Sequence, residues 1–371
     1  MRFIHFSDLH IKRLSLSGLD GWGRINQCHY VLKQVAQRSQ EDDIDFVLFC
    51  GDLFHDKKPD LDIFESTMAL LASKPFRAKP WYFVAGQHDW REQPLGASNY
   101  DLMICMIDES QNSVYDNFHF FVSTRGITVG DVLILGVPYQ KRMQEEIALC
   151  TKTKVDGPAI LAIHTPIKDY PIHPSHFSQT GLTIEELCVG QWKYVAAGDF
   201  HEPKISYYQD KKVVMSGSPI QHSFGESING HGYYIVDTKD NSSRKVNFTW
   251  YDKMISIVLD SSTNGEMLEK LLSVFRNPNI IFRFCVFDRS AIPIIEDVWG
   301  RWKINNKSNK GYKIQLMRGE ETLIEMNETA PDMFNLKNEI EKSLKELGLS
   351  NDDYKAIHKL SKEICDRAGV V

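Results

Sequence analysis

The feature that most constrains this 371-residue chain is the alternation of short apolar runs with helical stretches in its first half. Several runs are apolar on both faces, which is typical of strands buried between helix layers. The predicted strands are Arg2–Phe6, Asp45–Phe49, Trp81–Val84, Phe118–Val122, Val132–Val137, Ala159–Ile163 and Tyr194–Ala197. The predicted helices are Asn26–Ser39, Leu61–Ser73, Ser98–Ile107 and Met143–Cys150. The pattern predicts an α/β fold.

The chain is too long for one small core, and its pattern changes after about residue 254. Up to that point strands continue through Val213–Met215, Gly232–Val236 and Lys245–Tyr251. A β-α-β-α-β order then follows, over Ile255–Leu259, Gly265–Phe275, Ile280–Phe287, Ile292–Trp299 and Tyr312–Met317. Beyond Pro331 the pattern is purely helical. We therefore predict a main domain over 1–253, a small α+β domain over 254–328 and a helical segment over 329–371.

Composition is that of an ordinary globular protein, with 42% hydrophobic and 25% charged residues. No apolar run is long enough to predict a transmembrane helix, and the first residues lack the pattern of a signal peptide. The seven cysteines contain no C-x-x-C pair, which favours reduced thiols and a cytoplasmic location. The net charge of −6 gives no sign of nucleic-acid binding, although an average can hide a local basic face.

Polar clusters follow predicted strands at the points where loops of an α/β fold build sites. They are Asp8-Leu9-His10, Gly51-Asp52, Gly86-Gln87-His88-Asp89, His164 and Gly198-Asp199-Phe200-His201. Carboxylate, amide and imidazole groups are suited to divalent transition metals. Each cluster alone has an ordinary alternative, such as a turn, a helix cap or a buried histidine. The five together, in this order, indicate a metal site.

In these clusters the chain resembles the calcineurin-like metallophosphoesterase family, whose pattern is D-x-H, GD, GNH-D/E, H and GH-x-H. The resemblance implies a two-sheet sandwich flanked by helices, with two divalent metal ions. It implies that Asp8, His10 and His201 hold the first metal ion. It implies that Gln87, His164 and Asp199 hold the second ion, and that Asp52 bridges the two. His88 matches the catalytic histidine of the family, which protonates the leaving oxygen or stabilises charge on the phosphate. Asp89 and Ser218 are expected to support the metal ligands without binding a metal ion themselves.

Two positions depart from the family pattern. Gln87 stands where the family has Asn, and Asp199 stands where it commonly has His. Both changes fall on the second metal, which favours Mn²⁺, with Mg²⁺ as the alternative, over zinc. A degenerate second site with weak activity is the other interpretation.

Two segments point to DNA as the substrate. Gly51–Pro59 is similar to the second motif of the SbcD-type nucleases, and His55 within it is expected to contact a DNA phosphate, unless it is simply a turn histidine. Ser216–Glu226 is similar to the GSP-x-x-x-SFGE segment of the same nucleases and is expected to be structural support. The resemblance implies a metal-dependent DNA exonuclease, with endonuclease activity left open.

The rest of the chain follows the same family by domain order. In SbcD-type nucleases a capping domain is followed by helices that grip the coiled-coil base of an SbcC-type ABC ATPase, and a homodimer is expected. Basic residues interleaved with aromatics over Trp299–Arg318 suit phosphate contact and stacking, with a solvated face as the alternative. The candidate DNA contacts in this stretch are Arg301, Lys303, Lys307 and Lys310. A bacterium or a phage is a compatible source.

Two rival functions remain open from the sequence. One is a phosphatase or non-DNA phosphodiesterase on the same fold. The other is a DNA-end-binding scaffold subunit with a degenerate metal site, which the Gln87 and Asp199 departures suggest.

Overall fold

The computed structural model describes residues 1–14, 22–89, 99–100, 103–104, 115–170, 181–226, 230–248, 251–259, 264–274, 280–306 and 312–316. The strands are β1 (Arg2–Phe6), β2 (Phe46–Cys50), β3 (Trp81–Val84), β4 (Phe118–Phe121), β5 (Arg125–Val129), β6 (Val132–Val137), β7 (Ala159–His164), β8 (Tyr194–Gly198), β9 (Lys204–Tyr208), β10 (Lys211–Met215), β11 (Gly232–Asp237), β12 (Ser242–Asn247), β13 (Lys253–Leu259), β14 (Ile280–Val286) and β15 (Tyr312–Leu316). The helices are α1 (Trp22–Ser39), α2 (Leu61–Leu71), α3 (Met143–Cys150), α4 (Ile184–Leu187), α5 (Gly265–Val274) and α6 (Ala291–Asn306), with a 3₁₀ turn at Lys74–Arg77.

Two mixed six-stranded sheets form the main part of the fold. The first has the strand order β12-β11-β1-β2-β3-β4, and the second has the order β5-β6-β7-β8-β10-β9. Strands β1 to β4 are parallel in the first sheet, and β6, β7, β8 and β10 are parallel in the second. The predicted α/β fold is confirmed.

The inner strands of each sheet are buried on both faces, which explains why they are largely apolar. In β1, Phe3 packs into the core between the two sheets. Ile4 and Phe6 point the other way, into the core under helices α1 and α2. The second sheet is likewise covered on its outer face by α3. A strand between two apolar layers has no polar face to display.

A third, three-stranded sheet of parallel strands carries helices α5 and α6. The predicted β-α-β-α-β order is present, but α6 runs to Asn306 and not to Trp299. The interpretation of the tryptophans as base-stacking residues is wrong. Trp299 and Trp302 are each 5% exposed in the core of this unit, and the Trp302 indole N–H donates to the Leu272 carbonyl at 2.8 Å.

The strands that the sequence pattern missed lie at sheet edges. The second sheet ends in β5 on one side and β9 on the other, and both have polar and exposed positions. The predicted helix Ser98–Ile107 falls mostly outside the described residues, as do the helical segment beyond Pro331 and the residues Lys307 and Lys310.

Among the described helices, none combines the length and the apolar character that a bilayer requires. The cysteines of the described ranges are free and buried: Cys28, Cys50, Cys150, Cys188 and Cys285.

Candidate metal centre

The five polar clusters of the sequence lie at the carboxyl ends of β1, β2, β3, β7 and β8, and the structure brings these ends together. The loops after β1 and β2 are joined by backbone hydrogen bonds, from Asp8 N to the Gly51 carbonyl and from His10 N to the Asp52 carbonyl, each 2.9 Å long. Side chains of the second sheet reach the same place, since His164 at the end of β7 is grouped with Asp8 and Asp52.

Four of the predicted ligands have left-handed backbone conformations that non-glycine residues seldom adopt. Their φ angles are 56° at Asp8, 45° at His10, 61° at Asp52 and 107° at Asp199. Each such residue costs about 1–3 kcal/mol, and clusters of them are found at functional sites. Here the sharp turn after each strand directs the side chain into the common site.

The ligands predicted for the first metal come together. Asp8, His10 and His201 have ligand atoms that all lie within 4.8 Å of one another. The Nε2 atoms of His10 and His201 are 3.1 Å apart, and His10 Nε2 is 4.0 Å from Asp8 Oδ1. Both imidazoles thus present Nε2 to the same point.

The ligands predicted for the second metal meet the first set at Asp52. Asp8, Asp52 and His164 form another group with all ligand atoms within 4.8 Å. Asp52 Oδ2 is 3.5 Å from His10 Nε2 and 3.3 Å from His164 Nε2. It lies between the two groups, which is the position that the predicted bridging ligand requires. His164 Nε2 is also 3.6 Å from Asp199 Oδ1.

The residues present fit divalent metal ions. His164 is fully buried, and its Nδ1 donates to the Cys50 carbonyl at 2.8 Å. Its Nε2 is buried without a hydrogen-bond partner among the described residues and faces two carboxylates. Burial raises the pKa of Asp199 to about 7, and the charges of Asp8 and Asp52 act in the same direction. Bound cations would remove this repulsion and give the open nitrogen a partner.

Asp89 holds the loops after β2 and β3 in register. Its carboxylate is fully buried and accepts backbone N–H groups from Asp52 at 2.8 Å, Gly86 at 3.0 Å and Leu53 at 3.1 Å. Burial raises the pKa of Asp89 to about 7, with the charge of Asp52 acting in the same direction and the backbone donors opposing it. The predicted supporting position of Asp89 agrees with these contacts.

His88 lies at the rim of the ligand cluster. Its backbone N–H donates to Asp52 Oδ1 at 2.8 Å, which leaves Oδ2 of that carboxylate for the ligand cluster. Its ring Nδ1 donates to the His55 carbonyl at 2.5 Å. The ring stacks on His55, with centroids 5.1 Å apart, and contacts His10 edge to face. With Nδ1 fixed, Nε2 is the ring atom available to a substrate.

Gly51 and Gly86 leave room that the ligands occupy. A Cβ atom at Gly51, whose φ is +92°, would lie 2.1 Å from His164 Nδ1. A Cβ at Gly86 would lie 2.2 Å from Asp52 Oδ1. Glycine at these two positions is required by the close approach of the ligand side chains.

The segment 216–226 touches the ligands more closely than the sequence suggested. His201 Nδ1 is 2.9 Å from Glu226 Oε1, and the other oxygen of Glu226 accepts from the His222 backbone at 2.7 Å. The His222 ring donates from Nε2 to the Asp8 carbonyl at 2.8 Å. Ser218, expected as a supporting residue, donates its backbone N–H to the His201 carbonyl at 2.9 Å. The sequence places Glu226 and His222 in this segment, but it does not show which predicted ligand each one contacts.

Three predicted site residues gain less support from their surroundings. Gln87 lies half-buried in the turn after β3, and among the described residues its side chain makes no hydrogen bond to the cluster. Arg301 is paired with Asp297 at 3.0 Å and with Glu269 at 3.7 Å on the exposed side of helices α5 and α6. Lys303, in the last turn of α6, is half-buried. Their roles stay predictions.

The family model of the calcineurin-like phosphoesterases matches residues 1–203. The match covers more than half of the 371 residues and contains every strand end that bears a predicted ligand. The chain therefore belongs to the calcineurin-like phosphoesterase family, and it is a metal-dependent phosphoesterase.

Solved structures with a similar fold are distant in sequence. A Phosphopantetheinyl Hydrolase (PptH) from Mycobacterium tuberculosis is 16% identical, with 58% of this chain and 88% of that chain covered at a TM-score of 0.37. A dimetal phosphatase from Danio rerio is 10% identical, with 63% and 91% covered at a TM-score of 0.41. Vps29 complexed with zinc from Entamoeba histolytica is 12% identical, with 66% and 89% covered at a TM-score of 0.29. These similarities are too distant to bear on the substrate.

Proposed function

We propose that this protein is a DNA nuclease that hydrolyses phosphodiester bonds at the metal centre described above. The observation that carries the proposal is the position of His55. This residue belongs to the segment 51–59 that is similar to the SbcD-type nucleases, and its Nδ1 lies 3.3 Å from Nδ1 of the ligand His10. The segment that distinguishes these nucleases from other phosphoesterases therefore forms part of the site itself.

The chain's own residues have separate tasks in this reaction. Asp8, His10 and His201 would hold one divalent ion, and His164, Asp199 and the predicted Gln87 the other, with Asp52 shared. Two such ions, when bound, supply an activated water and neutralise charge on the phosphoryl group.

His88 is placed to handle the proton of the leaving group. The His55 carbonyl accepts from Nδ1–H, so the atom turned to the substrate is Nε2, and the doubly protonated ring would give its Nε2 proton to the departing oxygen of the cleaved strand. The same residue positions Asp52 through its backbone N–H, so a hydrogen bond ties the loop of the acid to the loop of the shared carboxylate. Glu226 keeps the His201 ring in its ligand orientation.

Manganese is the proposed metal, with magnesium as the alternative. Asp199 adds a carboxylate where the family commonly has an imidazole, and this third carboxylate, beside the buried Asp8 and Asp52, favours harder ions over zinc. Activation by zinc alone, with none by manganese, would contradict this assignment.

The proposed partners are DNA, a second copy of the chain and an SbcC-type coiled-coil ABC ATPase that is held by residues 329–371. The proposed setting is the cytoplasm of a bacterium or of a phage-infected cell, in DNA repair or recombination. Removal of the residues after 331 is expected to leave nuclease activity on simple substrates and to abolish co-purification with the ATPase. A truncated protein that still binds the ATPase would contradict this role.

The test is Mn²⁺-dependent digestion of end-labelled duplex DNA by the wild type and by His88→Ala, beside bis(p-nitrophenyl) phosphate as a small diester. We expect DNA cleavage that falls at least about a hundredfold in the variant, as is typical when a general acid is lost. Hydrolysis of the small diester without DNA cleavage would favour a non-DNA phosphodiesterase. DNA binding with equal, negligible cleavage by both proteins would favour a scaffold subunit.

A further inference from the structure

Lys12 is a cation beside His55, the histidine that contacts the ligand His10. Its Nζ atom lies 3.3 Å from Nε2 of His55, and its side chain is half-buried. The next residue, Arg13, is ion-paired with Asp60 and Asp62. In the described part of the chain no carboxylate forms such a pair with Lys12.

A metal held by His10 would determine which nitrogens of the neighbouring histidines carry protons. His10 presents Nε2 to the ligand cluster, 3.1 Å from His201 Nε2 and 3.5 Å from Asp52 Oδ2. An imidazole that binds a metal through one nitrogen carries its proton on the other. A His10 ring that held a metal through Nε2 would have its N–H at Nδ1, where His55 Nδ1 lies 3.3 Å away and could accept it.

His55 in its neutral form must then carry its proton on Nε2, the atom that faces Lys12. Two hydrogen-bond donors, the Lys12 ammonium and the His55 Nε2–H, thus lie 3.3 Å apart. In that tautomer neither can accept from the other, and both can donate to an acceptor that lies against them. The His88 ring, stacked on His55 at an interplanar angle of 18°, fixes the direction of this donor.

The acceptor that suits these donors is an anionic oxygen. An ammonium and an imidazole N–H bind phosphate oxygens by charge-assisted hydrogen bonds. The donors lie on the Nδ1 side of the His10 ring, whereas the ligand cluster lies on its Nε2 side. A phosphate bound here is separated from the metal site by an imidazole ring, so it is not the phosphate that is hydrolysed.

We propose that Lys12 and His55 together bind a phosphate of the nucleic acid that neighbours the scissile one, and that this pair favours polynucleotides over single phosphodiesters. This inference rests on the proposed nuclease function. The new element is Lys12, which acts as a specificity-determining residue by supplying the charge.

The test compares Lys12→Met with the wild type on an oligothymidylate and on bis(p-nitrophenyl) phosphate, in Mn²⁺, across a range of salt concentrations. We expect KM for the oligonucleotide to rise about tenfold more than KM for the small diester. The slope of log KM against log salt should fall by about 0.7 for the oligonucleotide, the value for one lost phosphate contact on a single strand. Lys12→Arg should restore most of both.

The matched control is Lys239→Met, which changes an exposed lysine after β11 at the opposite end of the first sheet. An unchanged oligonucleotide KM and salt slope in Lys12→Met would overturn the inference and leave the nuclease proposal intact. An equal loss on both substrates without rescue by arginine would also overturn it, since that is the result of a purely structural role. A wild type that hydrolyses the small diester but no oligonucleotide would overturn the nuclease proposal and this inference together.

Discussion

Gln221 joins the metal centre to the third sheet, and its replacement should be costly. The side chain is fully buried. Its Nε2 donates to the carbonyls of Met254 at 2.9 Å and Glu226 at 3.1 Å, and its Oε1 accepts from Met254 N–H at 2.7 Å. Gln221→Leu keeps a similar volume, so the change removes these hydrogen bonds without opening a large cavity.

The magnitude follows from the groups left behind. Three backbone groups lose their partner, the buried N–H and carbonyl of Met254 and the partly buried carbonyl of Glu226, and each buried unsatisfied group costs about 1–3 kcal/mol. We expect the free energy of unfolding to fall by about 3–5 kcal/mol. Because Glu226 orients His201, affinity for the metal should fall as well.

Urea denaturation followed by far-ultraviolet circular dichroism, with chelator and with Mn²⁺, measures both effects. The matched control is Gln144→Leu, since Gln144 is exposed and makes one surface hydrogen bond to Glu186; its expected change is below about 0.5 kcal/mol. If Gln221→Leu lost no more stability than this control, the reasoning from buried partners would be refuted.

Two further predictions concern other sites. Gly86→Ala should lower metal-dependent activity at least about a hundredfold, because its Cβ would collide with Asp52 Oδ1. Gly225→Ala should keep its activity, because no atom lies closer than 3.8 Å to the added Cβ. Equal activity of the two variants would contradict the clash. Burial, with the charge of Lys33, lowers the pKa of His29 to about 4, so the unfolded chain takes up a proton near 6.5 before the folded one does. The wild type should therefore lose stability as pH falls from 6.5 to 4, and His29→Gln should lose less in urea titrations at pH 7 and pH 5; parallel losses would contradict the assignment.

The strands that carry the ligands could be predicted because their environment is simple. Both faces are covered in strands β1, β2, β3, β7 and β8. A strand that is buried on both faces has a largely apolar sequence, which the pattern reveals. The edge strands β5 and β9 escaped because their exposed positions break that pattern.

The sequence predicts candidate residues for the site, but not the contacts that the structure gives them. The left-handed backbone at Asp8 and Asp52 could not be predicted, because neither residue is a glycine, the residue that usually marks a positive φ. The contact of Glu226 with His201 and that of His222 with the Asp8 carbonyl depend on how a distant segment folds back. The tryptophans of α6 misled the sequence interpretation for the same reason, because an aromatic in a basic stretch can equally be core.

The central claim is that two divalent ions share Asp52. Manganese counting combined with electron paramagnetic resonance of the wild type and Asp52→Asn tests it most directly. We expect two Mn²⁺ per chain with an exchange-coupled spectrum in the wild type, since bridged ions lie about 3.5–4 Å apart, and loss of the coupling in the variant. A single ion per chain, or two ions with uncoupled spectra in the wild type, would contradict the account.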